Sequence, residues 1–148
     1  MRIVCTLLVS LWLAACSYQQ ALAPQTRIEF RPGSYTKQAG WTEMVVKETQ
    51  EKIYLSEATI ISAQDIAAAE ATFTEQGMPI VGITLTTAGK QKFAQATERY
   101  LNQSIGIVVN GELLSAPVIR EKITTGFVMI SGIATAMEAK TIADGLNK

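Results

Sequence analysis

Between Glu70 and Leu101 the period of the hydrophobic residues changes once, and that change limits the architectures open to the chain. In EATFTEQGMPIVGITL, Ala71 and Phe73 alternate with polar residues, Gly77-Met78-Pro79 turns the chain, and Val81, Ile83 and Leu85 alternate on the way back. Such a period of two marks a hairpin with one face in a core. Beyond Leu85, Thr86 and Thr87 offer N-caps, and Phe93, Ala96, Tyr100 and Leu101 share one helical face that should lie on the sheet. A second helix is announced by Thr135-Ala136-Met137-Glu138, a capping box in which hydroxyl and carboxylate reciprocally satisfy free amides. Behind it Ala139, Ile142, Ala143 and Leu146 recur at i, i+3, i+4 and i+7.

Further strands are expected at Arg27 to Phe30, stopped by Pro32-Gly33, at Met44 to Glu48, at Ile53 to Leu55 and in VMISGI, with a short helical turn from Ser62 to Ala68. Ile107, Val108 and Val109 form a strand, Asn110-Gly111 supplies a turn with positive φ, and Glu112 to Ser115 returns. Pro117 cannot donate to a ladder, so Ala116-Pro117 ends or bulges this pairing before Val118-Ile119 resumes extended structure. Tyr54, Phe73, Phe93 and Tyr100 occupy positions that read as core packing. Strands with helices laid on one face give an α+β fold, a mainly antiparallel sheet with two principal helices packed on one face.

With 148 residues, 48% of them hydrophobic, one domain with a sizeable core is expected. Thirteen basic residues balance thirteen acidic ones, so no positive excess is available for a phosphate backbone and nucleic acid is not an expected partner. There is no histidine, which removes the usual general base near neutral pH and the commonest metal ligand.

The N-terminus, MRIVCTLLVSLWLAACS, has one positive charge at Arg2 and an apolar run from Ile3 to Ala15, too short for a stable spanning helix. Its end, Leu13-Ala14-Ala15-Cys16, resembles the bacterial lipobox, in which the cysteine is acylated before cleavage in front of it. The expected organisation is a signal peptide over residues 1–15, lipidation at Cys16, a polar tether over 16–26 and one domain over 27–148. Loss of Arg2 would leave 12 basic against 13 acidic residues, a net charge of −1, and Cys16 as the sole cysteine. Acylation would use its thiol, so neither a disulfide nor a cysteine metal site is expected. The chain is then held to a membrane by its N-terminal lipid and faces the periplasm. Ser17, standing where aspartate would resemble an inner-membrane retention signal, favours the outer membrane.

From Gly106 onward, GIVVNGELLSAPVIREKITTGFVMISGIATAMEAKTIADGLN resembles the head part of the first periplasmic domain of the bacterial protein-translocation subunit SecD. The family shows an apolar strand, an Asp/Asn-Gly turn, a Ser-Ala-Pro-x-Ile segment, an Ile-Ser-Gly strand and a helix with paired apolar positions. Tyr54-Leu55-Ser56, Asp65-Ile66, Ala69-Glu70-Ala71, Gln76-Gly77, Pro79-Ile80-Val81 and Lys92-Phe93-Ala94 fall in the family's order, so about residues 50–147 are covered. Departures are Thr124-Thr125-Gly126, with one glycine where the family has two, and Gly132-Ile133-Ala134-Thr135 in place of Gly-Asn-Phe-Thr. No later apolar run reaches membrane-spanning length, so proton coupling does not carry over. The resemblance implies the head fold and a role in holding an extended or incompletely folded polypeptide.

Catalytic readings fail on their own parts. Gly82 and Gly89-Lys90 have the wrong spacing for a phosphate loop, with Gln91 where Ser or Thr should stand. Ser115 with Lys122 lacks a named oxyanion donor, and Ser115 reads as a strand-end hydrogen bonder. Neither an enzyme, a cofactor nor a small-molecule substrate is expected. The segment Ser115, Ala116, Pro117, Val118, Ile119 and Arg120 is the candidate partner-binding site: an edge broken by Pro117 leaves apolar side chains and unpaired carbonyls beside a groove. The expected partner is a polypeptide or an envelope protein, with a structural or inhibitory role in an envelope complex as the alternative.

Overall fold

The computed structural model describes residues 25–147; the expected signal peptide over 1–15, Cys16 and most of the expected tether over 16–26 lie outside them. Among the described residues, nine strands and two α-helices follow in the order β1 (Ile28–Ser34), β2 (Thr42–Val45), β3 (Lys52–Leu55), β4 (Ile61–Ser62), β5 (Ile66–Phe73), β6 (Pro79–Leu85), α1 (Thr87–Arg99), β7 (Ser104–Val109), β8 (Glu112–Ser115), β9 (Phe127–Ile130) and α2 (Ala136–Leu146). The fold is α+β with antiparallel pairing throughout the described strands, as the sequence implied. The sheet, read as one, is two: β2-β3-β1-β7-β8 with β4 beside β1, and β5-β6-β9. Among the described residues, no helix is long and apolar enough to cross a membrane.

Both sheets and both helices fill one core. Ile28 and Phe30 of β1, Ile105 and Ile107 of β7, Val81 and Ile83 of β6, Phe93 of α1 and Ile142 of α2 are members of one cluster. Phe93 meets Phe30 edge to face, ring centroids 5.8 Å apart, a geometry that sets the positive ring edge against the negative face. The larger sheet also buries part of its other side. Lys47 N–H donates to the Leu113 carbonyl at 2.8 Å, so the end of the β2 edge meets β8 and the sheet curls over Val46, Ile53, Leu55, Val108 and Leu113. Gly106 lets Leu55 pack closely on β7, because a Cβ there would stand 2.7 Å from Leu55 Cδ2.

Pro32-Gly33 does not stop β1, which runs through to Ser34. Pro32 sits where β1 changes partner, from β4 at Phe30 to β3 at Gly33. Ser56 N–H donates to the Pro32 carbonyl, and the amide that proline lacks would point at the same loop and not at β7. The turn expected over Ser62 to Ala68 is only a 3₁₀ turn at Ala63–Asp65, because β5 already begins at Ile66. Asp65 is buried there; its carboxylate accepts from Ser62 N–H at 3.1 Å and from Lys92 Nζ at 2.6 Å. Thr26, assigned to the tether, is packed in the fold, its N–H on the Gly145 carbonyl.

The Thr135 cap forms, with Glu138 N–H on its hydroxyl at 3.1 Å, but Glu138 reaches back to Ala134 N–H and not to the cap residue. Its other oxygen takes Lys47 Nζ at 2.9 Å, tying α2 to the curled sheet. Phe73 is a second departure. It has the inward parity of Ala69 and Ala71 but is 58% exposed, at the end of β5 beside the first residue of α2. Tyr54 and Tyr100 are half-buried, and only Phe93 of the four aromatics is fully in the core.

Candidate functional site

The proline break does not end pairing along β7; it moves it. Beyond Ser115 the chain returns to the first half of β7, with Ile105 N–H on the Pro117 carbonyl at 3.1 Å and Ile119 N–H on the Gln103 carbonyl at 2.8 Å. The Ile119 carbonyl accepts from Asn102 N–H at 2.7 Å. The carbonyls of Pro117 and Ile119 are therefore taken, contrary to the expectation of unpaired ones. Val118 has the opposite parity, and its backbone groups make no hydrogen bond among the described residues.

The six predicted residues divide accordingly. Ser115 ends β8 and is buried, paired with Ile107 through the backbone, and its hydroxyl has no hydrogen-bond partner among the described residues. Ala116 is half-buried against the inside of the curl, and Ile119 is buried in the main core. Pro117, Val118 and Arg120 are exposed. Lys122 pairs with Glu98 at 2.8 Å on the surface and offers nothing to Ser115.

Pro117, Val118 and Arg120 form one bank of a groove of about 340 Å³ whose other bank is β9. Its floor is core: Phe30, Phe93, Ile105 and Ile107. Gly126 O accepts from Leu85 N–H, so alternate residues Phe127 and Met129 turn their backbone groups away from β6, toward the open edge. Their side chains are 51% and 62% exposed, and Val118 opposite is 37% exposed. The groove thus lies between two strand edges, one from each sheet, over an apolar floor, and on the β9 edge the Phe127 N–H is taken by Thr125 Oγ1 at 3.4 Å.

Sequence reasoning missed the β9 bank. The signal was present in the alternation of Gly126-Phe127-Val128-Met129-Ile130, but nothing in it says that β9 would be an edge. It also missed Thr97, which is fully buried on α1 and holds the bank in place: its hydroxyl donates to the Phe93 carbonyl and accepts from Ile123 N–H, each at 2.9 Å. The described chain starts near Asn110, since Arg27 N–H donates to its side chain, whereas Val118 bridges Ser104 at the far end of β1. Seven residues of strand separate the two ends, roughly 20 Å.

A family model for the P1 head subdomain of SecDF matches residues 39–148. The chain is similar to the protein translocase subunit SecD of Magnetococcus marinus, 41% identical over 85 residues, which are 57% of this chain and 16% of that protein. It is similar to the SecDF subunit of Thermus thermophilus, 37% identical over 84 residues, 57% of this chain and 11% of that protein. A solved SecDF, described as a membrane component that enhances protein export, superposes with a TM-score of 0.68 at 27% identity, covering 84% of this chain and 63% of that one. The chain spans less than a fifth of the length of these curated relatives.

Proposed function

The chain belongs to the SecDF P1 head subdomain family, and from that premise we propose that it is a non-catalytic binding module that holds an extended polypeptide between β9 and residues 117–123. The observation that carries this reading is the pairing of two open strand edges with an apolar floor. An extended segment gains main-chain hydrogen bonds from the Phe127 carbonyl and from both backbone groups of Met129, the Phe127 N–H being held by Thr125 Oγ1 at 3.4 Å, and places alternate side chains over Phe30, Phe93, Ile105 and Ile107. Backbone pairing is sequence-tolerant, and side-chain burial supplies the selection for apolar segments.

The module is tethered through acylated Cys16, with Ser17 directing it to the outer membrane. The chain enters the fold at the Asn110 end of β1 and the groove opens toward the Ser104 end, so a tethered domain presents the groove away from the lipid. Incorporation of labelled fatty acid, abolished in Cys16→Ser, tests the anchor.

The groove is tested by binding of an array of unrelated extended apolar peptides to the full chain. Met129→Glu and Val118→Asp, both at exposed positions, are expected to weaken binding about tenfold or more by placing a carboxylate on the bank. Unchanged affinity in both variants sinks the groove. Capture of one folded partner with no peptide binding assigns the module to an assembly or inhibitory role instead.

A further inference from the structure

At the far end of β1, on the other side of Val118 from the groove, lies a second cleft of about 440 Å³, within the roughly 300–1,000 Å³ of small-molecule sites. Three aromatic residues line it: Tyr35, Trp41 and Tyr100. Three carboxamides line it as well: Gln38, Asn102 and Gln103. Among the described residues, no charged side chain lines it.

Both walls are fixed by the backbone. On one side Ser34 Oγ donates to the Thr36 carbonyl at 2.9 Å and accepts from Thr36 N–H at 3.1 Å, Trp41 N–H donates to Gln38 at 3.3 Å, and Gly40 takes a φ of 77° to close the turn. On the other, Gln103 N–H donates to Tyr100 at 3.0 Å and Asn102 adopts a φ of 62°. None of the three carboxamides has a side-chain hydrogen bond among the described residues. Tyr35 is 50% exposed; Trp41 and Tyr100 are half-buried, with Arg99 over the Tyr100 ring at 5.7 Å.

We infer that this cleft binds a neutral saccharide chain. A sugar ring has a face of polarised C–H groups, which packs on the electron-rich face of tyrosine or tryptophan, and a rim of hydroxyls, each both donor and acceptor. A carboxamide presents a carbonyl and an NH₂ side by side and so matches a hydroxyl in either sense. Rigid aromatics with adaptable amides give contact area at low entropic cost. A charged ligand would find no countercharge among the described lining residues, and the neighbouring cation, Arg99, is held over the Tyr100 ring. An oligoproline segment would stack on the same rings, but its backbone offers acceptors alone and leaves the three carboxamide oxygens unmatched. The cleft is separate from the groove, which uses other residues apart from the shared ridge at Val118.

The test uses the chain without Trp12, cleaved with residues 1–15 or replaced as Trp12→Phe, so that Trp41 is the sole tryptophan of the two. Its emission is followed against chitotetraose, maltotetraose and decaproline. A saturable shift with an oligosaccharide is expected, weakened about tenfold by Tyr35→Leu and by Gln38→Ala while both keep the parent's Tm. Tyr35 is exposed enough for its replacement to leave the fold intact, and Gln38→Ala gives an independent reading. No saturable shift with either sugar overturns the inference, as does a shift with decaproline alone, or sugar binding that survives both substitutions.

Discussion

Thr97→Val is the sharpest perturbation of the groove because valine nearly matches threonine in shape. The side chain is fully buried, so no cavity opens and the change is confined to one hydroxyl. The Phe93 carbonyl keeps its helical partner, but Ile123 N–H loses its acceptor at 2.9 Å and has no other among the described residues. A stranded buried donor costs about 1–3 kcal/mol, and since Ile123 is half-buried and water reaches part of its surface, the lower half of that range applies. The expected loss is about 1–2 kcal/mol by urea titration, or roughly 3–8 °C in Tm for a domain of this size. Stability alone does not identify the cause. Amide exchange at Ile123 should accelerate about tenfold or more, and peptide affinity should fall because residues 117–123 form one bank. Thr97→Ser supplies the contrast: it loses a methyl group, about 1 kcal/mol, yet keeps the acceptor and leaves Ile123 protected. Equal Ile123 protection in wild type and Thr97→Val would refute the assignment of that hydroxyl as the clamp.

Two further outcomes follow from the same bonding pattern. Burial pushes the Asp65 carboxyl up, but the Lys92 ammonium and the Ser62 amide outweigh it and hold it below the usual range; the Lys47 ammonium does the same for Glu138. Both folded values lie below the unfolded ones, so their stabilisation is fully present above about pH 5 and is lost as pH falls through the lowered values. Urea midpoints should be flat from pH 7 to about 5 and drop below about 4, more shallowly in Asp65→Asn. Asn147 covers an edge of the smaller sheet, accepting from Ala69 N–H at 2.7 Å and donating to its carbonyl at 2.6 Å. Asn147→Ala should uncover the β5 edge and raise self-association in sedimentation velocity, with unchanged sedimentation counting against that role.

Legibility in the sequence follows the range of the interactions that decide each feature. The Asn110-Gly111 turn has φ of 50° and 87°, and the caps at Thr86 and Thr135 form, because a residue and its neighbours determine them. The core stripe of α2 is buried at Ala139, Ile142, Ala143 and Leu146, as its period required. Pro32 misled for the opposite reason: whether a strand tolerates proline depends on which partner faces the missing amide, and the change of partner from Ile61 to Leu55 is a distant event. Phe73 misled because parity gives the face of a strand but not how far the covering helix extends. The groove is a stronger case. Pro117 marked its location, yet the groove exists only because two sheets, joined by one core, leave the edge at Val118 facing the edge at Phe127 and Met129. A local breaker can show where a chain stops pairing; what comes to stand opposite that break is decided by the packing of the whole core.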